Sequence, residues 1–280
     1  MSVAEVQFEH YRAPNTLGVQ ETAPRLSWKI KEQRSTFSQR GYEVKLTVLH
    51  SSLATRHSTI SQLVPWPFDD SLQSRQRVSV SIRAWDDQGE STSWSEPVEL
   101  EIGLLKRSNW VCEQIAAPWA GLTKGPDCEQ LFRKQFHIDP CVGNPLVKAR
   151  LYITSQGVYE AEINGIRVGD HFMAPGWTSY AGRIQYQTYD VLTLLKSGQD
   201  NCIGVRVAEG WFSGRLGFRG GHRDTWGSVN ALLMQLELTF QDGAVKTVAT
   251  DQSWMVTRGP IRLAEIYDGE KYDATLEVPL

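Results

Sequence analysis

Strict alternation of apolar and polar side chains constrains this chain more than any other feature. Leu26-Ser27-Trp28-Lys29-Ile30, Tyr42-Glu43-Val44-Lys45-Leu46 and Val78-Ser79-Val80-Ser81-Ile82-Arg83-Ala84 put every second side chain on one face only when the backbone is extended. The pattern returns beyond residue 129 and predicts strands over 130–138, 147–155, 157–163, 184–189, 201–208, 230–240, 244–250 and 261–267. Asn164-Gly165 between two of these runs supplies the paired positive φ angles of a type I′ hairpin, and Gln241-Asp242-Gly243 marks a second turn. A helix is predicted only over Asp190–Lys196, stopped by Ser197-Gly198. With no repeat of fixed period and no strand–helix–strand unit bearing a glycine fingerprint, solenoids and doubly wound nucleotide folds are excluded. An all-β chain remains.

At 280 residues the chain has room for about two domains. Residues 1–103 form the first, and 130–280 the second. Between them, over 104–129, alternation fails while Pro118, Gly121, Gly125 and Pro126 accumulate, giving a linker or a packed irregular segment pinned by Trp110 and Trp119. The last hairpin of the first domain runs from Arg77–Trp85 through Asp86-Asp87-Gln88-Gly89-Glu90 to Ser93-Trp94-Ser95-Glu96-Pro97-Val98, with Pro97 marking an edge strand. This hairpin resembles that of a fibronectin type III domain. The expected architecture is two β-sandwiches, fibronectin III/immunoglobulin-like then jelly-roll-like.

A formal net charge of −3 leaves no basic field to attract nucleic acid or anionic lipid, and no apolar window approaches the length that crosses a bilayer. Neither nucleic acid nor membrane is an expected partner. The residues after Met1 show neither the basic nor the apolar part of a secretory signal, so the expectation is a cytoplasmic chain. Cys112, Cys128, Cys141 and Cys202 form no C-x-x-C pair and are expected as reduced thiols. His10, His50, His57, His137, His171 and His222 show no metal-site spacing, and no serine sits in a Gly-x-Ser-x-Gly elbow.

Glu209-Gly210-Trp211-Phe212-Ser213-Gly214-Arg215-Leu216-Gly217-Phe218-Arg219-Gly220-Gly221-His222-Arg223-Asp224 is glycine-rich, yet it lacks the Gly-Lys-Ser/Thr ending of a phosphate cradle and lies between strands. It reads as a long loop whose Trp211 and Phe212 cap a core, with Arg215, Arg219 and Arg223 solvated or paired with carboxylates. Sugars dock on aromatic faces, which makes Trp177, Tyr180, Trp211, Trp226 and Tyr267 candidate carbohydrate contacts. Glycosidase chemistry needs two carboxyls facing each other across a bond. Asp268, Glu270 and Asp273, Asp69 with Asp70, and Asp86 with Asp87 are sequence neighbours and read as solvated turns, so no catalytic residue is assigned.

A longer series of motifs carries a second resemblance. In order these are Leu131-Phe132-Arg133-Lys134-Gln135-Phe136, Ala149-Arg150-Leu151-Tyr152-Ile153-Thr154, Tyr159 through Asp170, Ala174-Pro175-Gly176-Trp177-Thr178-Ser179-Tyr180, Tyr186-Gln187-Thr188-Tyr189-Asp190-Val191, Glu209 through Arg215, Thr250-Asp251-Gln252-Ser253-Trp254 and Tyr267 through Ala274. They resemble the N-terminal accessory domain of α-L-rhamnosidases of glycoside hydrolase family 78, in which a fibronectin-like region also comes first. The resemblance implies hydrolytic carboxylates in a catalytic (α/α)₆ barrel C-terminal to these sandwiches. With the sequence ending at Leu280, the expectation is a non-catalytic N-terminal portion, a fragment or truncated product. Its expected partners are that barrel and a rhamnose-containing carbohydrate. The resemblance further implies calcium-assisted sugar binding with Asp170 as a metal ligand, although His171 stands where asparagine is expected and calcium prefers oxygen. The expected role is structural or sugar-binding; a free-standing L-rhamnose module and a purely structural interaction protein are the alternatives.

Overall fold

The computed structural model describes residues 1–14, 16–31, 37–48, 51–122, 125–139 and 143–277. It divides into two compact units, Met1–Trp110 and Val111–Leu280.

In the first unit, strands β1 (Ser2–Phe8), β2 (Tyr11–Arg12) and β4 (Leu26–Lys31) form one sheet in the order β2-β1-β4. The other sheet runs β3-β8-β7-β5-β6, using β3 (Leu17–Val19), β5 (Gly41–Thr47), β6 (Ser51–Arg56), β7 (Arg77–Trp85) and β8 (Val98–Ile102). The alternation in β7 is realised in full: Val78, Val80, Ile82 and Ala84 are buried and join Phe8, Leu26, Trp28 and Val44 in one core. Pro97 was expected to mark a sheet edge, and the structure differs. The proline precedes β8, and the three residues of β3, too few to show a period, pair in parallel on its outer side.

The second unit sets a four-stranded sheet, β13-β10-β15-β16, and a five-stranded sheet, β12-β11-β14-β9-β17, around one core. Their strands are β9 (Gln130–His137), β10 (Leu146–Gln156), β11 (Val158–Ile163), β12 (Ile166–Arg167), β13 (Gln187–Asp190), β14 (Asp200–Ala208), β15 (Ala231–Phe240), β16 (Val245–Ala249) and β17 (Met255–Arg258). Leu151 and Ile153 of β10 and Met234 and Leu236 of β15 meet Ile163, Ile203 and Val205 of the other sheet in that core. A hairpin of β18 (Ile261–Glu265) and β19 (Gly269–Tyr272) stands beside them. Asn164 and Gly165, at φ of 54° and 78°, make the predicted I′ turn. β10 and β15 are buried on both faces; along the edge of β15, Ile115 exchanges backbone bonds with Leu232, and the Val111 amide donates to the Gln235 side chain at 2.9 Å.

The helix expected over Asp190–Lys196 shrinks to one 3₁₀ turn, Leu192–Leu194. Asn201 is the cause, since its side chain bonds both the amide and the carbonyl of Lys196 at 2.8 Å and holds that backbone out of a helix. Cys112, Cys128 and Cys202 are free thiols, while Cys141 and His50 lie outside the described residues. Among the described residues no helix is long and apolar enough to cross a membrane.

Candidate functional site

The glycine-rich loop leaves β14 at Glu209 and returns to β15 at Asn230. Glycine is required where the loop crosses the β18–β19 hairpin. A Cβ on Gly214 would lie 2.3 Å from the Gly210 carbonyl oxygen and 2.8 Å from Glu265 Cβ, so only a bare backbone passes there. Gly210 donates to the Ala264 carbonyl at 3.2 Å, and the Arg215 amide donates to Glu265. Further out, Leu216 and His222 exchange two backbone bonds of 2.8 Å, which turns residues 216–222 into a protruding tip.

Beneath the tip lies a chain of three carboxylates and two guanidiniums. Arg223 donates through Nη1 to both oxygens of Glu265, at 2.9 and 2.8 Å, and through Nη2 to Glu209. Arg215 holds Asp268 in a two-point pair, with Nε 2.8 Å from Oδ2. The side chains of Glu209 and Glu265 are 2% and 0% exposed, so water does not reach either carboxylate. Burial pushes the Glu209 carboxyl above its ordinary range, against the Asp127 amide and Arg223, which favour its charged form. Asp268 moves the other way, held below the carboxylate range by its hydrogen bond to Arg215. Glu129, also buried, is raised by desolvation while its Oε1 accepts from the Ile261 amide at 3.0 Å.

The aromatic candidates divide between surface and interior. Trp177 is 57% exposed, and its ring lies within 5° of parallel to that of half-buried Trp211, centroids 6.3 Å apart. Tyr180 is buried, its ring edge-on to Phe212 at 5.2 Å and tilted against Trp226 at 5.8 Å, with its hydroxyl donating to the Gly176 carbonyl at 3.2 Å. It supports the loop from below instead of offering a face. Tyr267, 43% exposed, meets Phe218 edge-to-face at 5.7 Å and lies under the Arg215 guanidinium.

Asp170 stands apart from these rings. Its side chain is 91% exposed and lies 3.6 Å from His171 Nδ1, while the His171 carbonyl accepts from Arg167 at 2.7 Å. Calcium takes six to eight oxygen ligands. Here the neighbouring side chain is an imidazole, Arg167 takes up the His171 carbonyl oxygen, and no group of three or more His, Cys, Asp or Glu side chains among the described residues is placed to hold a metal. The residues at Asp170 do not fit a calcium ion.

Sequence reasoning named Trp177 and Trp211 as candidate contacts, and of its two readings for the loop arginines, solvated or paired with carboxylates, Arg215 and Arg223 take the second. It missed Glu209, Glu265 and Phe218. Glu265 sits inside an alternating strand 42 residues from Arg223, so no spacing rule joins them.

These features define a class: a tandem of β-sandwich units in which a clamped, aromatic-bearing loop is the most elaborated part of the second. Residues 144–279 match the family described as Alpha-L-rhamnosidase N-terminal domain, and residues 3–106 match the Rha78A-like N-terminal immunoglobulin domain. The chain therefore carries the two domains that make up the N-terminal part of α-L-rhamnosidases, an immunoglobulin-like domain followed by the rhamnosidase N-terminal domain. It is 37% identical to an α-L-rhamnosidase of Formosa agariphila, over 95% of this chain and 30% of the relative. The crystal structure of the Aspergillus terreus α-L-rhamnosidase superposes with a TM-score of 0.90 at 43% identity, over 99% of this chain and 32% of that one. The enzyme from Dictyoglomus thermophilum gives 0.79 at 27% identity, over 94% of this chain and 30% of its own. The chain spans about 30% of the length of the curated relatives it matches.

Proposed function

We propose that this chain serves as the ancillary N-terminal part of an α-L-rhamnosidase, packing against and orienting a hydrolytic module that releases terminal α-L-rhamnose. The observation that carries the reading is the likeness to α-L-rhamnosidases across 95–99% of the chain. The chemistry of the loop agrees with it. An inverting glycosidase needs a general acid and a general base roughly 6.5–9.5 Å apart with a water between them. Glu209 and Glu265 instead share one guanidinium out of reach of solvent, so this carboxylate pair fastens a loop and does not flank a glycosidic bond. Assaying the purified chain for release of rhamnose from an aryl α-L-rhamnoside tests the reading. No turnover is expected, and hydrolysis by the chain alone would overturn it.

A second reading, carbohydrate binding, is favoured by one observation, the exposed face of Trp177 braced on Trp211. Calorimetric titration with L-rhamnose, with and without calcium, separates the two readings. Saturable heat lost in Trp177→Ala would establish a binding role. Heat that needs calcium and is lost in Asp170→Ala would place that role at the loop whose residues do not fit the ion.

A further inference from the structure

The three-stranded sheet of the first unit carries a cleft of about 300 Å³, the volume at which small-ligand sites begin. Strand register builds its floor. Gln7 of β1 pairs with Arg12 of β2 on one side and with Ser27 of β4 on the other, and Ala4 pairs with Lys29. Between Ala4 and Gln7 the register slips, a bulge that leaves Glu5 exposed with its carboxylate 2.7 Å from Lys29 Nζ. Gln62 and Leu63 form one wall, fixed where the Leu63 amide donates to Ser27 Oγ at 2.9 Å. Backbone strain collects in this lining. Of the eight described non-glycine residues with positive φ, Glu5, Glu9 and Leu63 line the cleft, at 51°, 54° and 50°. Such conformations persist where the surrounding structure imposes them, and they cluster at binding sites.

We propose that this cleft binds a neutral saccharide through the first unit alone. Its lining selects the ligand class. Glu5 and Glu9 are matched by Arg12 and Lys29, so the cleft has no net charge with which to prefer an anion or a cation. Both acids are already engaged, Glu5 by Lys29 and Glu9 by Arg25. The side chains of Gln7, Arg12 and Gln62, by contrast, make no hydrogen bond among the described residues. Two amides that each donate and accept, beside a guanidinium that only donates, match the neighbouring hydroxyls of a sugar, which also donate and accept. Leu63 is the one exposed apolar side chain in the lining and is suited to the C–H side of a sugar ring. An apolar ligand fits poorly, because it would take these polar groups from water and return no hydrogen bond.

NMR titration of the isotope-labelled chain with L-rhamnose, D-galactose and D-glucose, and with D-glucuronate as the charged comparison, tests the assignment. At least one neutral sugar should shift the side-chain amides of Gln7 and Gln62 and the backbone amides of residues 5–9, 62 and 63. Saturation is expected on the order of millimolar, the strength of a shallow site, and unchanged in high salt, because no net charge is involved. Gln7→Ala and Gln62→Ala should each weaken binding roughly fivefold, the worth of one hydrogen-bonding group, with the rest of the spectrum unchanged. Trp177→Ala should leave these shifts as they are. No saturable shift at these residues with any neutral sugar overturns the site, and so does a salt-sensitive preference for glucuronate. Shifts confined to Trp177 and Trp211 also overturn it and leave the carbohydrate reading of the second unit standing.

Discussion

Two glutamate–arginine sites in this chain use the same chemistry to opposite effect. In the first unit Glu9 and Arg25 meet at the surface, with two Nε contacts of 3.0 Å and the Arg25 amide at 2.8 Å, and Arg25 is half exposed. In the second unit Arg223 lies between Glu209 and Glu265 with both carboxylates removed from solvent. The hydrogen bond to Arg25 lowers the Glu9 carboxyl below its ordinary range, while desolvation raises that of Glu209 despite its own arginine. Burial therefore decides the sign, and the number of contacts does not. Where water still reaches the pair, the partner dominates; where it does not, the charge is tolerated because several donors fix it in place.

The most severe way to break the comparison is to remove the shared cation. Arg223→Met leaves two buried carboxylates without their common partner, and breaking a buried pair costs about 3–5 kcal/mol. Urea unfolding of the second unit, followed by tryptophan fluorescence, should show a loss of that order. An unchanged midpoint would mean the loop reorganises to solvate the acids. A smaller loss is expected from Gly214→Ala. Its methyl meets the Gly210 carbonyl and Glu265 Cβ, and overpacking at such a contact costs about 1–3 kcal/mol. The variant removes no charged group, which separates the effect of a crowded backbone approach from the loss of the cation.

How much of this was legible beforehand follows from the reach of each signal. Alternation is local, so β7 and β14 appear in the sequence as they do in space. The positive φ of Glu5 puts an irregularity in β1, and the alternation that would have announced that strand fails there. β10 and β15 are legible as strands, but the burial of their second face is not, because the polar side chains of Arg150, Gln235 and Glu237 stand on it and are buried all the same. For the site, Trp177 and Trp211 stand out as aromatics in a loop-rich region, whereas the inward turn of Tyr180 depends on Phe212 and Trp226 arriving from another segment. The buried acids were the least visible. Glu209 and Glu265 gain their meaning from Arg223, at separations of 14 and 42 residues that no motif encodes.

The opposite carboxyl shifts sharpen the comparison through pH. A raised folded-state value means Glu209 favours folding most when protonated. Its contribution is full below the ordinary glutamate value of 4.5 and is lost as pH rises through the higher folded value. Glu209→Gln removes that dependence, so relative to wild type its stability should improve with rising pH across the window that opens at 4.5. Glu9 is lowered, so its contribution is present above 4.5 and is lost as pH falls through the folded value; Glu9→Gln should flatten the acid side alone. Denaturant titrations of each unit from acid to neutral pH check both slopes. Slopes of the same sign would show that burial does not distinguish the two sites.

The smallest effect belongs to Arg25→Ala. The guanidinium is half exposed, and an exposed pair gains little because water and salt screen it and two long side chains must be held still. The unfolding midpoint of the first unit should stay close to that of wild type at neutral pH, and what difference exists should shrink further in high salt. A large loss at this site would mean that Glu9, whose own side chain is 15% exposed, already behaves as a buried charge. In that case the two sites would differ by degree of desolvation along one scale, and the opposite signs of their carboxyl shifts would come from donor geometry, with four bonds from one arginine on Glu9 against a guanidinium that Glu209 must share.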